Sequence, residues 1–392
     1  MDIKAIDKEY IMPTYARFPV QIVKGQGSEL FSEDGKRYID MGSGIAVNVF
    51  GVADKEWAAA VSAQLLKVQH TSNLYYTEPC ALLAEELCKR TGMKKVFFGN
   101  SGAEANECAI KAARRYSVKK YGEGRSTIIT MKNSFHGRTL ATLAATGQDG
   151  YHKDFGPFPG GFVYAEPDSL DSVKQLAAEN NCCAVMIETI QGEGGVVPLS
   201  DDFVKGLRRF CDESDLLLIV DEVQTGNGRT GELYSYMHYG IKPDLFTTAK
   251  GIGGGLPLGL AVFGEKCENA LEPGTHGSTF GGNPVCCAGA LNILSRLTPD
   301  LLAEVNRKSD YIRQELSGAD GVLEITGRGL MLGVACKKPG KEIANAALEK
   351  GLLVLTAKDK VRLLPALTIP WELLTEAVDT LKTCISEVCA EE

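Results

Sequence analysis

The 392-residue sequence has no apolar run long enough to span a lipid bilayer, which takes about 20 predominantly apolar residues in a helix. Its longest purely apolar run, from Cys182 to Ile187, is bounded by Asn181 and Glu188. The N-terminal residues MDIKAIDKEY carry charges where a secretory signal has an apolar stretch. We therefore expect a cytoplasmic protein without a membrane partner.

An excess of basic residues is also absent. The chain has 42 Lys and Arg residues against 50 Asp and Glu residues, a net charge of −8, whereas nucleic-acid-binding proteins usually have a basic surface. The five histidines and twelve cysteines are scattered, with no Cys-x-x-Cys pair and no spacing typical of a zinc site. The sequence predicts no nucleic-acid partner, no bound metal, and cysteines that remain reduced.

Two common nucleotide-binding loops are missing as well. There is no Walker A motif and no Gly-x-Gly-x-x-Gly turn after a strand, which disfavours P-loop NTPases and ordinary NAD-binding folds. The segment 99–103 nearly matches the Gly-x-Ser-x-Gly turn of α/β-hydrolases, but Ala103 stands in place of the last glycine and no triad is evident. A hydrolase is therefore disfavoured.

Short apolar runs alternate with helical patterns through most of the chain, which is typical of a mostly parallel α/β sheet covered on both faces. The predicted strands are 96–99, 127–131, 163–166, 183–189, 216–221, 245–249 and 258–263, with helices such as 103–121 and 202–213 between them. The last third has short strands (324–325, 331–335, 361–364) among the helices 302–317, 343–350 and 372–388, which indicates a smaller α+β domain. The predicted divisions are a segment 1–50 that joins the small domain, a large domain 51–280 and a small domain 281–392.

The segment FFGNSGAEANE, residues 97–107, has the pattern of a strand, a tight turn and a helix. The N-terminus of a helix that follows Ser101 and Gly102 would offer free N–H groups and a positive dipole end to an anion. The same residues also suit a simple helix cap. This segment is a candidate phosphate site.

Two charged residues end predicted buried strands. Asp221 follows the run LLLIV and could pair with a metal, a ribose hydroxyl, a protonated ring nitrogen or an ordinary structural partner. Lys250 precedes Gly251 and Gly253–Gly255; it is either a desolvated amine able to attack a carbonyl or a lysine that reaches solvent. The two residues lie about one strand–helix–strand unit apart, so both belong at the same edge of the sheet. An aspartate facing a pyridinium nitrogen and a Schiff-base lysine are the protein's characteristic contributions to pyridoxal phosphate chemistry.

The ordered motifs of the chain resemble those of the class III (ω-) aminotransferases, pyridoxal 5′-phosphate enzymes with the type I fold. Within this family the chain is most similar to the enzymes that act on N²-acetylornithine. The motifs are GIAVN (44–48), HTSNLYYTEP (70–79), NSGAEANE (100–107), FHGRT (135–139), IQGEGGVVP (190–198), DEVQTGNGRTG (221–231), TTAKGIGGGLPLG (247–259) and STFGGNP (278–284). The resemblance implies a large domain with a mostly parallel seven-stranded sheet and a smaller α+β domain.

The resemblance also assigns roles to the cofactor-binding residues. Lys250 would form the Schiff base and serve as the base, and Asp221 would keep the pyridine nitrogen protonated. The other expected contacts are Val223 and Phe135 on the two faces of the ring, Gln224 at the ring hydroxyl, Glu188 nearby, and Ser101, Gly102 and Ala103 at the phosphate. Thr279 would reach the phosphate of the neighbouring subunit's cofactor, which implies a homodimer with shared active sites.

The expected reaction is transfer of the δ-amino group of N²-acetyl-L-ornithine to 2-oxoglutarate, giving N-acetylglutamate 5-semialdehyde and L-glutamate in arginine biosynthesis. Arg138 would bind the donor carboxylate and Arg362 the α-carboxylate of 2-oxoglutarate. Glu193 would cover Arg362 while the donor is bound, or form a purely structural pair with it. Ser278 is a further expected substrate-binding residue.

The choice of donor stays open among several ω-amines. Gly44 stands where ornithine aminotransferases have a tyrosine, which favours an N-acylated donor over ornithine. The alternatives are N-succinylornithine, 4-aminobutyrate, ornithine, lysine and N-succinyl-diaminopimelate. The segment GVADKEW (51–57) departs from the Gly-His-x-His-Pro turn of many relatives and leaves fine specificity undecided. A glutamate-1-semialdehyde mutase is disfavoured because Arg362 and its cover Glu193 are present. A non-catalytic sensor is disfavoured because Lys250, Asp221 and both arginines are present.

Overall fold

The computed structural model describes residues 2–390. Its helices are α1 (Ile3–Tyr10), α2 (Ser43–Ala46), α3 (Lys55–Leu65), α4 (Glu78–Thr91), α5 (Gly102–Tyr121), α6 (Leu140–Ala145), α7 (Asp149–His152), α8 (Leu170–Glu179), α9 (Asp201–Glu213), α10 (Pro284–Arg296), α11 (Pro299–Leu316), α12 (Gly340–Glu349) and α13 (Trp371–Ala390). Short 3₁₀ turns occupy Ser235–Tyr239 and Lys250–Ile252.

The strands vary from two to seven residues in length. They are β1 (Ile22–Gln26), β2 (Glu29–Ser32), β3 (Arg37–Asp40), β4 (Lys95–Gly99), β5 (Thr127–Met131), β6 (Phe162–Ala165), β7 (Cys182–Ile187), β8 (Ile190–Gln191), β9 (Val197–Pro198), β10 (Leu217–Asp221), β11 (Leu245–Thr248), β12 (Gly259–Phe263), β13 (Val322–Arg328), β14 (Met331–Cys336), β15 (Leu352–Leu353), β16 (Leu355–Ala357) and β17 (Lys360–Leu363).

The seven strands expected from the apolar runs form one sheet in the order β4-β12-β11-β10-β7-β5-β6. The β12 strand is antiparallel to both of its neighbours, and the other pairs within β11–β10–β7–β5–β6 are parallel. The predicted mostly parallel seven-stranded sheet is therefore confirmed.

Both faces of this sheet are covered, as the continuous apolar strands predict. In β10, Leu217 and Ile219 pack into the cluster that includes the buried alanines of α5, whereas Leu218 and Val220 pack into the larger cluster on the opposite face. Burial of each such side chain stabilises the fold by about 1.5–3 kcal/mol. The sheet therefore provides a rigid platform whose carboxyl edge carries the loops described below.

Two four-stranded sheets and the two-stranded sheet β8-β9 lie outside the large one. The C-terminal sheet has the order β13-β14-β17-β16, and the N-terminal sheet has the order β1-β2-β3-β15. The parallel pairing of β15 with β3 joins residues 352–353 to residues 39–40. The sequence analysis predicted no strand before residue 96, because β1–β3 are short and mixed in polarity.

The predicted domain boundaries stay a prediction. The N-terminal strands share a sheet with β15, while α10 packs against α3 and α4 of the first third of the chain. Within residues 2–390, no helix has the length and apolar character needed to cross a membrane. The same part of the chain contains no group of three or more His, Cys, Asp or Glu side chains arranged to hold a metal ion.

Candidate active site

A cavity of about 500 Å³ lies at the carboxyl ends of the parallel strands. It gathers ten of the residues singled out by the sequence, which lie at the end of β10 and in the segments that follow β4, β5, β7, β10 and β11: Ser101, Gly102, Ala103, Phe135, Arg138, Glu188, Asp221, Val223, Gln224 and Lys250. The carboxyl edge of an open α/β sheet is where ligands usually bind. Asp221 pairs in register with Thr247, so β10 and β11 bring Asp221 and Lys250 to the same edge.

Asp221 ends β10 almost completely buried, with 4% of its surface exposed. Its Oδ2 accepts a hydrogen bond from Asn106 Nδ2 at 2.8 Å and lies 2.9 Å from His136 Nδ1, while its Oδ1 accepts from Val223 N at 3.0 Å. Asn106 is itself held by Thr247, whose hydroxyl donates to Asn106 Oδ1 at 2.6 Å. A buried carboxylate needs such partners, and here they hold it rigidly at the cavity wall.

Lys250 begins a 3₁₀ turn that is separated from β11 by Ala249, and it has a φ of +48°, a left-handed conformation that non-glycine residues seldom adopt. Asn227 holds this turn, because its Nδ2 donates to Thr248 Oγ1 at 3.0 Å and to Ala249 O at 3.2 Å. A Cβ on Gly251 would lie 2.8 Å from a methyl of Val49, so the close approach requires glycine. The strained turn aims the lysine into the cavity.

The electrostatic environment of Lys250 favours the neutral amine. Burial lowers the pKa of Lys250, and the nearby Arg362 lowers it further, while Glu193, Asp221 and Glu188 act in the opposite direction. Burial is the largest of these effects. A neutral amine is the form that attacks carbonyl carbon and accepts protons.

The N-terminus of α5 points at the other end of the cavity. Ser101 caps the helix, because its hydroxyl accepts from Glu104 N at 3.1 Å. The amides of Gly102 and Ala103, as the first of the helix, have no intrahelical acceptors and can bind an anion. A Cβ on Gly102 would lie 2.7 Å from Cγ1 of Val223, so glycine lets this helix end approach the loop after β10.

Glu188 follows β7 and lies on the cavity wall. Its carboxylate accepts from Phe135 N at 2.9 Å and from Gly192 N at 3.1 Å. Burial raises the pKa of Glu188 to about 7, an effect that Asp221 increases and His136 opposes. Glu188 thereby positions both Phe135 and the loop that carries Glu193.

Arg362 and Glu193 form an ion pair beside the cavity. Arg362 lies on β17, is 4% exposed, and donates from Nη1 to Glu193 Oε1 at 2.5 Å and to Gln224 Oε1 at 3.3 Å. Gln224 lines the cavity, so the pair is joined to the site through this side chain. The structure brings the two residues together as the sequence analysis expected.

The remaining predicted residues lie at the margin. Ser278 Oγ accepts from Asn100 Nδ2 at 3.0 Å, next to the N-terminus of α5. Thr279 is exposed on the following loop and does not line the cavity. Gly44 lines a separate cavity of about 220 Å³ rather than the one that contains Lys250, whereas Val47 lines the latter. The roles of these residues stay predictions.

Sequence reasoning did not assign three residues that organise the site, Asn106, His136 and Asn227. Each lies inside a motif that carried the resemblance, one or more positions away from an assigned residue. A polar residue in an otherwise apolar helix face, as Asn106 is in α5, is the one available signal, because it requires a buried partner.

The chain is similar in sequence to known aminotransferases. The family model described as aminotransferase class-III matches residues 10–385. The chain is 48% identical over 388 residues to the acetylornithine aminotransferase of Haemophilus ducreyi, covering 98% of this chain and 99% of that protein.

The chain is also similar to solved structures of aminotransferases. The N-acetylornithine aminotransferase of Stenotrophomonas maltophilia is 34% identical with a TM-score of 0.86, covering 99% of this chain and 100% of that one. The ornithine aminotransferase of Toxoplasma gondii, whose structure has pyridoxal phosphate at partial occupancy in the active site, is 30% identical with a TM-score of 0.93, covering 98% and 94%.

Proposed function

Since the chain belongs to the class-III aminotransferases and its cofactor is pyridoxal phosphate, we propose that it transfers the δ-amino group of N²-acetyl-L-ornithine to 2-oxoglutarate. The products are N-acetylglutamate 5-semialdehyde and L-glutamate. The observation that carries the proposal is one cavity that joins Lys250 and Asp221 to two arginines, Arg138 at its wall and Arg362 behind Gln224.

The residues of the cavity fit pyridoxal phosphate. Asp221 is a buried carboxylate able to face a protonated ring nitrogen, and the free amides at the start of α5 suit the phosphate. Val223 and Phe135 would lie on the two faces of the ring, and Lys250 would hold the cofactor covalently. When bound, the cofactor supplies the electron sink that stabilises the carbanion formed at the donor carbon.

The protein's own contribution begins with Lys250. Burial lowers the pKa of Lys250 and so favours the neutral amine, whose Nζ can accept a proton from the donor carbon and return it to the adjacent position. Asn106 and His136 hold the Asp221 carboxyl group in place, so it would face the ring nitrogen of the bound cofactor without reorganising during the reaction.

Two arginines allow one site to accept two unlike substrates in turn. We propose that Arg138 binds the carboxylate of the donor, whose reacting amine is remote from that group. Arg362 binds the α-carboxylate of 2-oxoglutarate, which must first displace Glu193 from it. While the donor is present, the ion pair neutralises Arg362 and prevents it from binding the wrong end of the molecule.

The choice of N²-acetylornithine is supported by the relatives. The H. ducreyi and S. maltophilia proteins are named for acetylornithine, and the former is 48% identical across nearly the whole chain. Ornithine is the second candidate, because the T. gondii structure has a TM-score of 0.93. Gly44 in place of the tyrosine of ornithine aminotransferases favours the acylated donor.

We also propose a homodimer in the cytoplasm. An apolar surface is exposed along residues 65–76, where Leu66 is 88% and Leu74 87% exposed. Exposed apolar patches of this kind mark interfaces. Asn73 Nδ2 donates to Ser278 O at 3.1 Å and to Gly281 O at 2.9 Å, so this segment adjoins the loop that carries Thr279. A second copy docked there would meet Thr279, in keeping with shared active sites.

The decisive experiment uses the purified holoenzyme and single donors without 2-oxoglutarate. N²-Acetylornithine should remove the visible absorbance of the bound cofactor faster than N-succinylornithine, ornithine, lysine, 4-aminobutyrate or N-succinyl-diaminopimelate at equal concentration. Added 2-oxoglutarate should restore the colour. Faster reaction with another amine would overturn the donor assignment, and a Lys250→Ala variant that still turned over would overturn the role of Lys250.

A further inference from the structure

The guanidinium of Arg138 lies against two aromatic rings that also contact each other. Its Cζ lies 4.1 Å from the centroid of the Tyr151 ring and 5.6 Å from that of Phe135. A cation stacked on a ring is attracted by the ring quadrupole, and the stacked face leaves the N–H edge of the guanidinium available for a carboxylate. An arginine otherwise samples many rotamers, so the contact with Tyr151 restricts the direction in which this edge points.

Tyr151 is in turn fixed to the loop that carries Arg138. The short helix α7 bears Tyr151 and follows a segment bonded to residues 133–134. Asn133 N donates to Gly147 O at 2.7 Å, Gly147 N donates to Ser134 Oγ at 3.1 Å, and Gln148 Nε2 donates to Ser134 O at 3.1 Å. The tyrosine and the arginine therefore belong to one hydrogen-bonded unit.

The Tyr151 ring also packs against Phe135. The two ring centroids are 5.7 Å apart at an interplanar angle of 72°, an edge-to-face contact. Phe135 lines the cavity with Arg138, and its amide is held by Glu188. Tyr151 thus contacts both the proposed carboxylate-binding side chain and a wall of the cofactor cavity.

We propose that Tyr151 is a positioning residue that orients Arg138, and that it thereby sets the preference for ω-amines that carry a remote carboxylate over those that lack one. The inference rests on the proposed function in one respect, namely that Arg138 binds the donor carboxylate. Tyr151 acts through Arg138 and is not itself placed at the reacting atoms.

The experiment compares two donors that differ only in the carboxylate, N²-acetylornithine and N-acetylputrescine. Tyr151→Leu should lower kcat/KM for the first about 3- to 30-fold, the range expected for loss of a cation–π contact, and leave the second within about twofold. Tyr151→Phe retains the ring and should behave like the wild type. A partial loss of folded enzyme lowers kcat/KM equally for both donors, so it leaves the ratio of the two kcat/KM values unchanged.

A binding measurement gives an independent answer where N-acetylputrescine reacts too slowly. N²-Acetylnorvaline has the carboxylate but no reacting amine, and its Kd measured by calorimetry on the holoenzyme should rise about 3- to 30-fold in Tyr151→Leu. In a protein that already carries Arg138→Leu, adding Tyr151→Leu should not raise this Kd any further. An equal loss for both donors, or an unchanged Kd, would overturn the proposal.

The proposed donor can be wrong while the proposed role of Tyr151 is correct, and the experiment distinguishes the two. If the wild type prefers another amine, the donor assignment is wrong, and the same comparison is made with that amine and its decarboxylated counterpart. A preserved discrimination between those two in Tyr151→Leu would then overturn the inference, and a lost discrimination would support it.

Discussion

Replacement of Glu193 by glutamine should change which amino donors the enzyme accepts. Glu193 Oε1 lies 2.5 Å from Nη1 of Arg362, and Arg362 is only 4% exposed. Hydrogen bonds to charged groups contribute about 1.5–3 kcal/mol, which corresponds to about a ten- to hundredfold change in an equilibrium constant. Because Glu193 is a quarter exposed, solvent screens part of this energy, and we expect the lower half of that range.

The expected effect has a definite direction for each substrate. In Glu193→Gln, 2-oxoglutarate no longer competes with a carboxylate for Arg362, so its KM should fall. Glutamate should likewise react faster as a donor, because its α-carboxylate finds Arg362 uncovered. For N²-acetylornithine, binding to Arg362 places the wrong end of the molecule at the reacting centre. Such unproductive binding should lower its kcat and KM together and leave its kcat/KM close to the wild-type value.

The assay is single-turnover spectroscopy of the holoenzyme with each donor, which separates the two half-reactions. The ratio of kcat/KM for glutamate to that for N²-acetylornithine should rise about tenfold. Glu315→Gln is a matched control, since it removes the carboxylate of an ion pair with Lys382, and neither of these residues lines the cavity. An unchanged or lower ratio in Glu193→Gln would refute the assigned competition.

Three further substitutions test the stability, the cofactor cradle and the assembly. Burial raises the pKa of Glu222 from an ordinary 4.5 to about 7, so the folded state binds the proton more tightly than the unfolded state does. The protein should therefore lose stability as the pH rises across that interval. Glu222→Gln should reduce the fall in Tm between about pH 5 and about pH 8, measured by calorimetry at fixed protein and cofactor concentrations. Gly102→Ala places a Cβ 2.7 Å from Val223 Cγ1, and the resulting displacement should raise the Kd for pyridoxal phosphate about 3- to 30-fold in equilibrium dialysis with little change in circular dichroism. Leu74→Glu puts a charge on the proposed dimer face and should shift the sedimentation coefficient towards the monomer; unchanged sedimentation would argue against that face.

The large sheet was predictable because its strands are continuous apolar runs, which have few alternatives in a chain of this length. The shared edge of Asp221 and Lys250 followed from the same pattern, since parallel strands place their carboxyl ends together. The strands β1–β3 were not predictable in this way. They are only four or five residues long and contain no apolar run longer than two residues, and β3 is completed by β15, more than 300 residues further along the chain.

The partners of Asp221 show a different limit of sequence reasoning. Asn106 and His136 lie 115 and 85 residues away from it along the chain, so their convergence depends on how α5 and the loop after β5 pack against β10. An apolar pattern predicts which residues are buried but not which buried polar groups meet. The same applies to Asn227, whose hydrogen bonds to Thr248 and Ala249 support the strained turn at Lys250.

The segment 221–231 links the two chemical halves of the site. It starts with Asp221 in the cavity, and Gln224 then accepts a hydrogen bond from Arg362. Further along, the fully buried Arg229 donates from Nη1 to Leu330 O at 3.0 Å and to Pro365 O at 2.5 Å. These carbonyls flank β14 and β17, the paired strands of which β17 carries Arg362. Because breaking a buried charged contact costs several kcal/mol, one short loop holds the acid proposed to face the cofactor and the arginine proposed to bind 2-oxoglutarate in a constant relation.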